Sequence, residues 1–146
     1  MPYPEQLIAI MRQDLTQHGV KETRTPEEVD AVLGPKSGTV LMVINSVCGC
    51  AAGKARPAVG LALEHGSIKP DAAATVFAGA DIEAVNRVRE RLAGVPPSSP
   101  SIALFRNGEP VFMLHRSDIE SSSAPQIAER LLGAFDQFCA PAQINP

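Results

Sequence analysis

The stretch Thr39-Val40-Leu41-Met42-Val43-Ile44-Asn45-Ser46-Val47-Cys48-Gly49-Cys50-Ala51-Ala52 runs five apolar side chains together and then sets two cysteines with one residue between them. The aliphatic run has no polar alternation, which is the pattern of a strand covered on both faces by helices, and it predicts a central strand over Thr39–Asn45. Downstream, Ala55, Val59 and Leu63 recur at helical spacing. They predict a helix from Ala51 to His65, closed by Gly66 and kinked where Pro57 interrupts it. The cysteine pair therefore falls at a strand-to-helix junction.

Working outward, Leu7, Ile8, Met11 and Leu15 mark an N-terminal helix ending near His18-Gly19. Thr25-Pro26-Glu27-Glu28 reads as a capping box, with a hydroxyl at the N-cap, proline at the first helical position and Glu28 reaching back to a free amide. That second helix stops near Gly34. Ala73–Ala78 predicts a second strand, followed by a helix carrying Ile82, Val85, Val88 and Leu92, capped by Asp81 and stopped at Gly94. Beyond the proline-rich loop Val95–Pro100, the strands Ser101–Phe105 and Val111–His115 are joined through Asn107-Gly108, a dipeptide suited to left-handed hairpin angles. Ser123-Ala124-Pro125-Gln126 opens a last helix with Ile127, Leu131, Phe135 and Phe138 on its apolar face. This order predicts an α/β, thioredoxin-like three-layer fold: a mixed four-stranded sheet with flanking helices and an N-terminal helical extension. Residues 1–139 form one domain in this reading, and Ala140–Pro146 a flexible tail.

Composition narrows the function classes. The chain has 146 residues, 45% hydrophobic and 20% charged, within the range of one ordinary globular domain. Thirteen Lys and Arg against sixteen Asp and Glu give a net charge of −3. The basic residues are scattered, so nucleic acid is not an expected partner. No apolar run approaches the ~20 residues of a membrane span, and Met1–Leu15 lacks the basic-then-apolar order of a secretion signal, so the expected location is cytoplasmic.

Three cysteines are an odd number, and a domain of this size needs no disulfide framework, so Cys48 and Cys50 read as chemistry. Side chains two apart on a regular helix point roughly 200° from one another. The pair must then lie before the first full turn, with Gly49 permitting an unusual backbone. There the free amides and the positive end of the helix dipole favour a thiolate, with Lys54 and Arg56 adding weak positive potential. Cys48, ahead of the helix, is the expected attacking sulfur and Cys50 the resolving one. A ring closed across one residue has poor torsions, which suits exchange on mixed or non-native disulfides better than donation to stable bridges.

The alternatives are blander. Zinc requires four ligands, and His18, His65 and His115 are isolated in sequence, so no metal or organic cofactor is expected. Two exposed thiolates could hold a soft ion such as Cu(I), which leaves a non-catalytic metal carrier as the rival class. Cys139, on the apolar stripe of the last helix, reads as a small buried hydrophobe. Pro100, by composition alone, reads as an ordinary trans loop proline.

Asn45-Ser46-Val47-Cys48-Gly49-Cys50-Ala51-Ala52-Gly53, followed by Ala55-Arg56-Pro57, resembles the signature of the bacilliredoxin A/B family. The resemblance extends through Val76-Phe77-Ala78-Gly79, Pro97-Ser98-Ser99-Pro100-Ser101 and Phe135-Asp136 to Cys139. It implies a thioredoxin-like fold and removal of bacillithiol, or a similar low-molecular-weight thiol, from S-thiolated cytosolic proteins. Related members are described as disulfide isomerases, which is the runner-up activity. Carried over by position, Cys48 takes the small thiol and Cys50 resolves the adduct. Pro100 becomes a cis-proline facing the cysteines, and Ser99 offers backbone groups to an extended substrate. Recycling would fall to a small thiol or to a flavin-dependent disulfide reductase.

Overall fold

The computed structural model describes residues 3–140. The expected tail falls almost wholly outside that range.

The elements follow in the order α1 (Glu5–Thr16), β1 (Lys21–Glu22), α2 (Pro26–Val32), β2 (Thr39–Asn45), a π-helical turn (Ala51–Ala55), α3 (Arg56–His65), β3 (Ala72–Phe77), α4 (Ile82–Arg91), β4 (Ser101–Arg106), β5 (Glu109–Leu114), α5 (Arg116–Glu120) and α6 (Ala124–Phe138). One sheet runs β1-β3-β2-β4-β5, with β1, β3 and β2 parallel and β4 and β5 antiparallel to their neighbours. The sheet thus has five strands where the sequence predicts four. The addition, β1, is two residues long, too short to carry any hydrophobic period.

β2 is buried along its whole length, as its unbroken aliphatic run requires. Leu41 and Val43 pack beneath α3 and α6 with Val59, Leu131 and Phe135. Val40, Met42 and Ile44 face the other layer with Val85, Val88 and Leu33. The strand therefore joins two separate cores, and its last residues are held from both sides.

Several local expectations are met with altered detail. Thr25 caps α2 by accepting from the Glu28 amide at 3.2 Å, but Glu28 Oε1 reaches the amide of Arg24 rather than that of Thr25. The Ser123–Gln126 capping box forms in both directions. Asn107 and Gly108 both take positive φ, 51° and 83°, and form the two-residue loop between Arg106 and Glu109. The predicted kink near Pro57 is a π-turn placed just ahead of it. Pro57 has no amide to offer the carbonyl four residues back, and the Arg56 amide bonds to the Ala51 carbonyl in the wider pattern. The strand predicted over Val111–His115 ends at Leu114, and His115 is instead the N-cap of the short helix α5, whose first turn is fixed by Asp118 accepting from the His115 amide at 2.9 Å.

Asp81 precedes α4 as predicted, yet its side chain makes no cap. Its carboxylate turns inward to take the Phe77 amide at 3.0 Å and the Arg12 guanidinium through two bonds of 2.9 and 2.8 Å. Arg12 is 4% exposed, lies over the Phe77 ring, and also donates to Glu5. A bidentate pair of this kind pins α1 to the β3–α4 corner. Desolvation works against the charge on Arg12, but its hydrogen bonds to Asp81 and Glu5 hold its pKa above the ordinary value.

Removing one partner of a buried pair leaves the other charge uncompensated. Arg12→Ala is expected to destabilise the protein by about 3 kcal/mol in denaturant unfolding. The double variant Arg12→Met/Asp81→Leu is expected to recover part of that loss, and strict additivity of the two single changes would contradict a direct pair.

Candidate active site

At the end of β2 the chain passes through a set of bonds that fixes the cysteine loop. Asn45 Oδ1 accepts from the Ser46 amide at 2.8 Å, and Ser46 Oγ accepts from the Cys48 amide at 2.9 Å. Arg56, 4% exposed, sits beneath and donates to Asn45 Oδ1 at 3.0 Å and to the Ser46 carbonyl at 2.8 Å. Asp14, from α1, accepts from Arg56 Nε at 3.1 Å and balances its charge. Strand end, loop and helix start are thereby joined through one guanidinium.

Cys48 stands immediately before Gly49 and Cys50, the helical residues that lead into the turn Ala51–Ala55. Its carbonyl accepts from the Ala51 and Ala52 amides, and its Sγ accepts from the Cys50 amide at 3.2 Å. A sulfur placed there meets orphan N–H groups that favour the anion. Cys50 lies inside the first turn. Both are half-buried thiols, not joined to one another.

Their acidities move apart. Partial burial works against the Cys48 thiolate, but hydrogen bonds from the Ala51 and Cys50 amides and the Cys50 thiol, together with the charge of Arg116, outweigh it and hold its pKa below the ordinary cysteine value. Cys50 is pushed up by desolvation and by its hydrogen bond to, and charge repulsion from, Cys48. The two thiols thus share one ionisation, with the negative charge favoured at Cys48.

The cations differ from those the sequence points to. Lys54 turns away to the Glu120 carbonyl. Arg56 feels the Cys48 charge from below, but burial dominates its own balance and its bonds serve the loop. Arg116 is the cation that acts on both sulfurs. It comes from a distant segment, and no local pattern marks it.

Gly49 also departs from expectation. It sits in the first helical turn, is absent from the residues with positive φ, and a Cβ there would have no atom within 4 Å. Neither a close contact nor a left-handed turn requires glycine there.

The Ser99-Pro100 bond is cis. Ser101 pairs with Ile44 in the antiparallel register, so Pro100 comes level with Asn45 and Ser99 with Ser46, at the same sheet end as Cys48. Pro100 is buried and Ser99 half-buried. The Ser99 carbonyl accepts from Arg116 Nη1 at 3.2 Å, and Ser98 Oγ from the Arg116 amide at 3.3 Å. The structure thus brings Cys48, Gly49, Cys50, Ser99 and Pro100 to one end of the sheet.

Cys139 lies elsewhere. It ends α6, half-buried against the core, and its Sγ interacts with Thr39, the first residue of β2. Desolvation raises its pKa, outweighing the Thr39 hydrogen bond. The length of β2, roughly 20 Å at about 3.3 Å per residue, separates it from the cysteine pair. Among the described residues no group of three or more His, Cys, Asp or Glu is placed to hold a metal ion, and no helix is long and apolar enough to cross a membrane.

The chain is similar to several known proteins. A family model described as Disulphide isomerase matches residues 3–139. A bacilliredoxin of Salinibacter ruber is 55% identical over 95% of this chain and 82% of its own length. Bacilliredoxins of Koribacter versatilis and Geobacillus kaustophilus are 50% and 47% identical, each over 94% of both chains. Among solved structures, a mutant thioredoxin from Halobacterium salinarum superposes with a TM-score of 0.57 at 19% identity, covering 89% of this chain and 96% of that one. A thioredoxin of Malassezia sympodialis gives 0.55 at 16% identity, covering 83% and 91%. These two establish the thioredoxin-like fold, and the sequence relatives carry the rest: this chain belongs to the bacilliredoxin family of thiol-disulfide oxidoreductases.

Proposed function

We propose that Cys48 removes a low-molecular-weight thiol from mixed disulfides on proteins, with bacillithiol as the expected thiol. The observation that carries this reading is the opposed acidity of two thiols two residues apart, with the Cys48 sulfur seated on the helix-start amides. The Cys48 thiolate attacks the small-thiol sulfur, and a new S–S bond forms as the old one breaks. The protein cysteine leaves as a thiolate and takes a proton from solvent. Cys50, the less acidic thiol, then loses its proton and attacks Cys48, releasing the small thiol and leaving a Cys48–Cys50 disulfide. Two further small-thiol molecules, which leave joined as their own disulfide, or a flavin-dependent disulfide reductase supply the two electrons that reopen it. Such a cycle belongs in the cytoplasm, where thiol pools are kept reduced.

The description of the matching family model favours isomerisation of protein disulfides as a second reading. There Cys48 attacks a bridge within a protein, and the freed thiolate, not Cys50, closes the next bond. Trapping separates the two. On a bacillithiolated protein, Cys50→Ser is expected to accumulate the small thiol on Cys48, and Cys48→Ser none. Mixed disulfides with whole proteins and no small-thiol adduct would favour isomerisation. Activity in Cys48→Ser equal to that of the native protein would end the assignment of the attacking sulfur. Stoichiometric tight metal with no exchange activity would instead point to a carrier.

The acidity order is testable by pH. A lowered pKa means that the thiolate at Cys48 is already present below the free-cysteine value of about 8.5 and is lost as pH falls through the folded pKa. Thiolate ultraviolet absorbance of the reduced protein should therefore show one ionisation below that value, absent in Cys48→Ser. The exchange rate should climb with pH over the same range. In Cys48→Ser the remaining Cys50 should titrate closer to the ordinary value, because its neighbour's charge is gone.

A further inference from the structure

The proposed exchange leaves open what recognises the small thiol; of the two arginines that act on Cys48, Arg56 is buried and Arg116 is exposed. Arg116 follows the end of β5 at the same end of the sheet as the cysteines, and it is fastened on three sides. Its amide bonds Ser98 Oγ, its Nη1 bonds the Ser99 carbonyl, and its Nε pairs with Glu120. Glu120 is itself held, since its carbonyl accepts from Lys54 on the π-helical turn that follows Cys50. The guanidinium therefore joins the cis-proline loop to α5, and Lys54 in turn joins α5 to the turn after Cys50. Its Nη2 has no hydrogen-bond partner among the described residues, and the side chain is 45% exposed.

A flexible surface arginine rarely defines a ligand position, because side-chain entropy opposes it. This one is already immobilised through Nε and Nη1, so little freedom is lost when Nη2 takes an anion. Glu120 offsets part of its charge, which fits a singly charged carboxylate better than a multiply charged phosphate. Resting on the proposed function, we infer that Arg116 binds a carboxylate of the low-molecular-weight thiol and so decides which sulfur of a mixed disulfide Cys48 attacks. With that carboxylate anchored, the small-thiol sulfur lies nearest Cys48. The S–S bond breaks toward the protein, whose cysteine departs as the thiolate, and the small thiol stays on Cys48. Arg116 acts here as a specificity residue.

The test compares rates of reduced protein with four small disulfides: glutathione disulfide, which carries carboxylates, coenzyme A disulfide, which carries phosphates, neutral hydroxyethyl disulfide and cationic cystamine. The readout is the ratio of each rate to the neutral one, in which any change in Cys48 reactivity cancels. In Arg116→Gln the glutathione ratio should fall about tenfold and the cystamine ratio should rise. Arg116→Lys should retain part of the glutathione preference, and added salt should lower the native ratio. An unchanged glutathione ratio in Arg116→Gln overturns the inference, as does an equal fall for all four disulfides. A fall confined to coenzyme A disulfide assigns a phosphate and overturns the carboxylate. Failure of the underlying reading looks different: the neutral disulfide would then react equally well with Cys48→Ser.

Discussion

The arrangement of this molecule depends on Arg56, a buried guanidinium that ties the last residue of the central strand to the first turn of the following helix. It donates to Asn45 Oδ1 and to the Ser46 carbonyl while Asp14 neutralises it from α1. A loop between a buried strand and a helix would otherwise leave polar backbone groups to water or to chance. Here the Ser46 carbonyl and the Cys48 amide are both satisfied, so the loop has one conformation to settle into. Cys48 inherits its place from that network. The free helix-start amides then meet sulfur instead of solvent.

Two chemically identical side chains become different by position alone. Cys48 accepts amide hydrogen bonds just ahead of the helical residues, whereas Cys50, two residues further on, faces desolvation and its neighbour's charge. Separation of this kind is a common device where one group must attack and the other wait. Arg116 adds a tertiary contribution, delivered from across the sheet by the pairing of β5 with β4. The pairing of β4 with β2 places the cis Ser99-Pro100 bond opposite the cysteine loop.

Much of this was legible in the residues. The unbroken run Val40–Ile44 identifies the central strand, since only a strand enclosed on both faces tolerates no polar position. The helical period after Ala51 and the capping residues at Thr25 and Ser123 place helices, and Asn107-Gly108 places a hairpin turn, because these rest on interactions within a few residues. The errors share one cause. Asp81 looks like a cap, and by position it is one, but Arg12 offers its carboxylate a stronger buried partner. Lys54 and Arg56 are near Cys48 in sequence, yet one turns to Glu120 and the other is committed to the loop. β1 is a strand only because β3 lies beside it.

Sequence by itself determined the layers, the strand-to-helix position of the cysteine pair and, through the spacing of whole motifs, the family. Each follows from periodicity or from chemistry confined to neighbours along the chain. Tertiary structure decided which carboxylate meets which guanidinium, which cation reaches the sulfurs, and that Cys139 sits at the far end of the central strand from them. Those outcomes depend on through-space distances between segments, and Coulomb and hydrogen-bond energies fall away over a few ångströms that no linear spacing records.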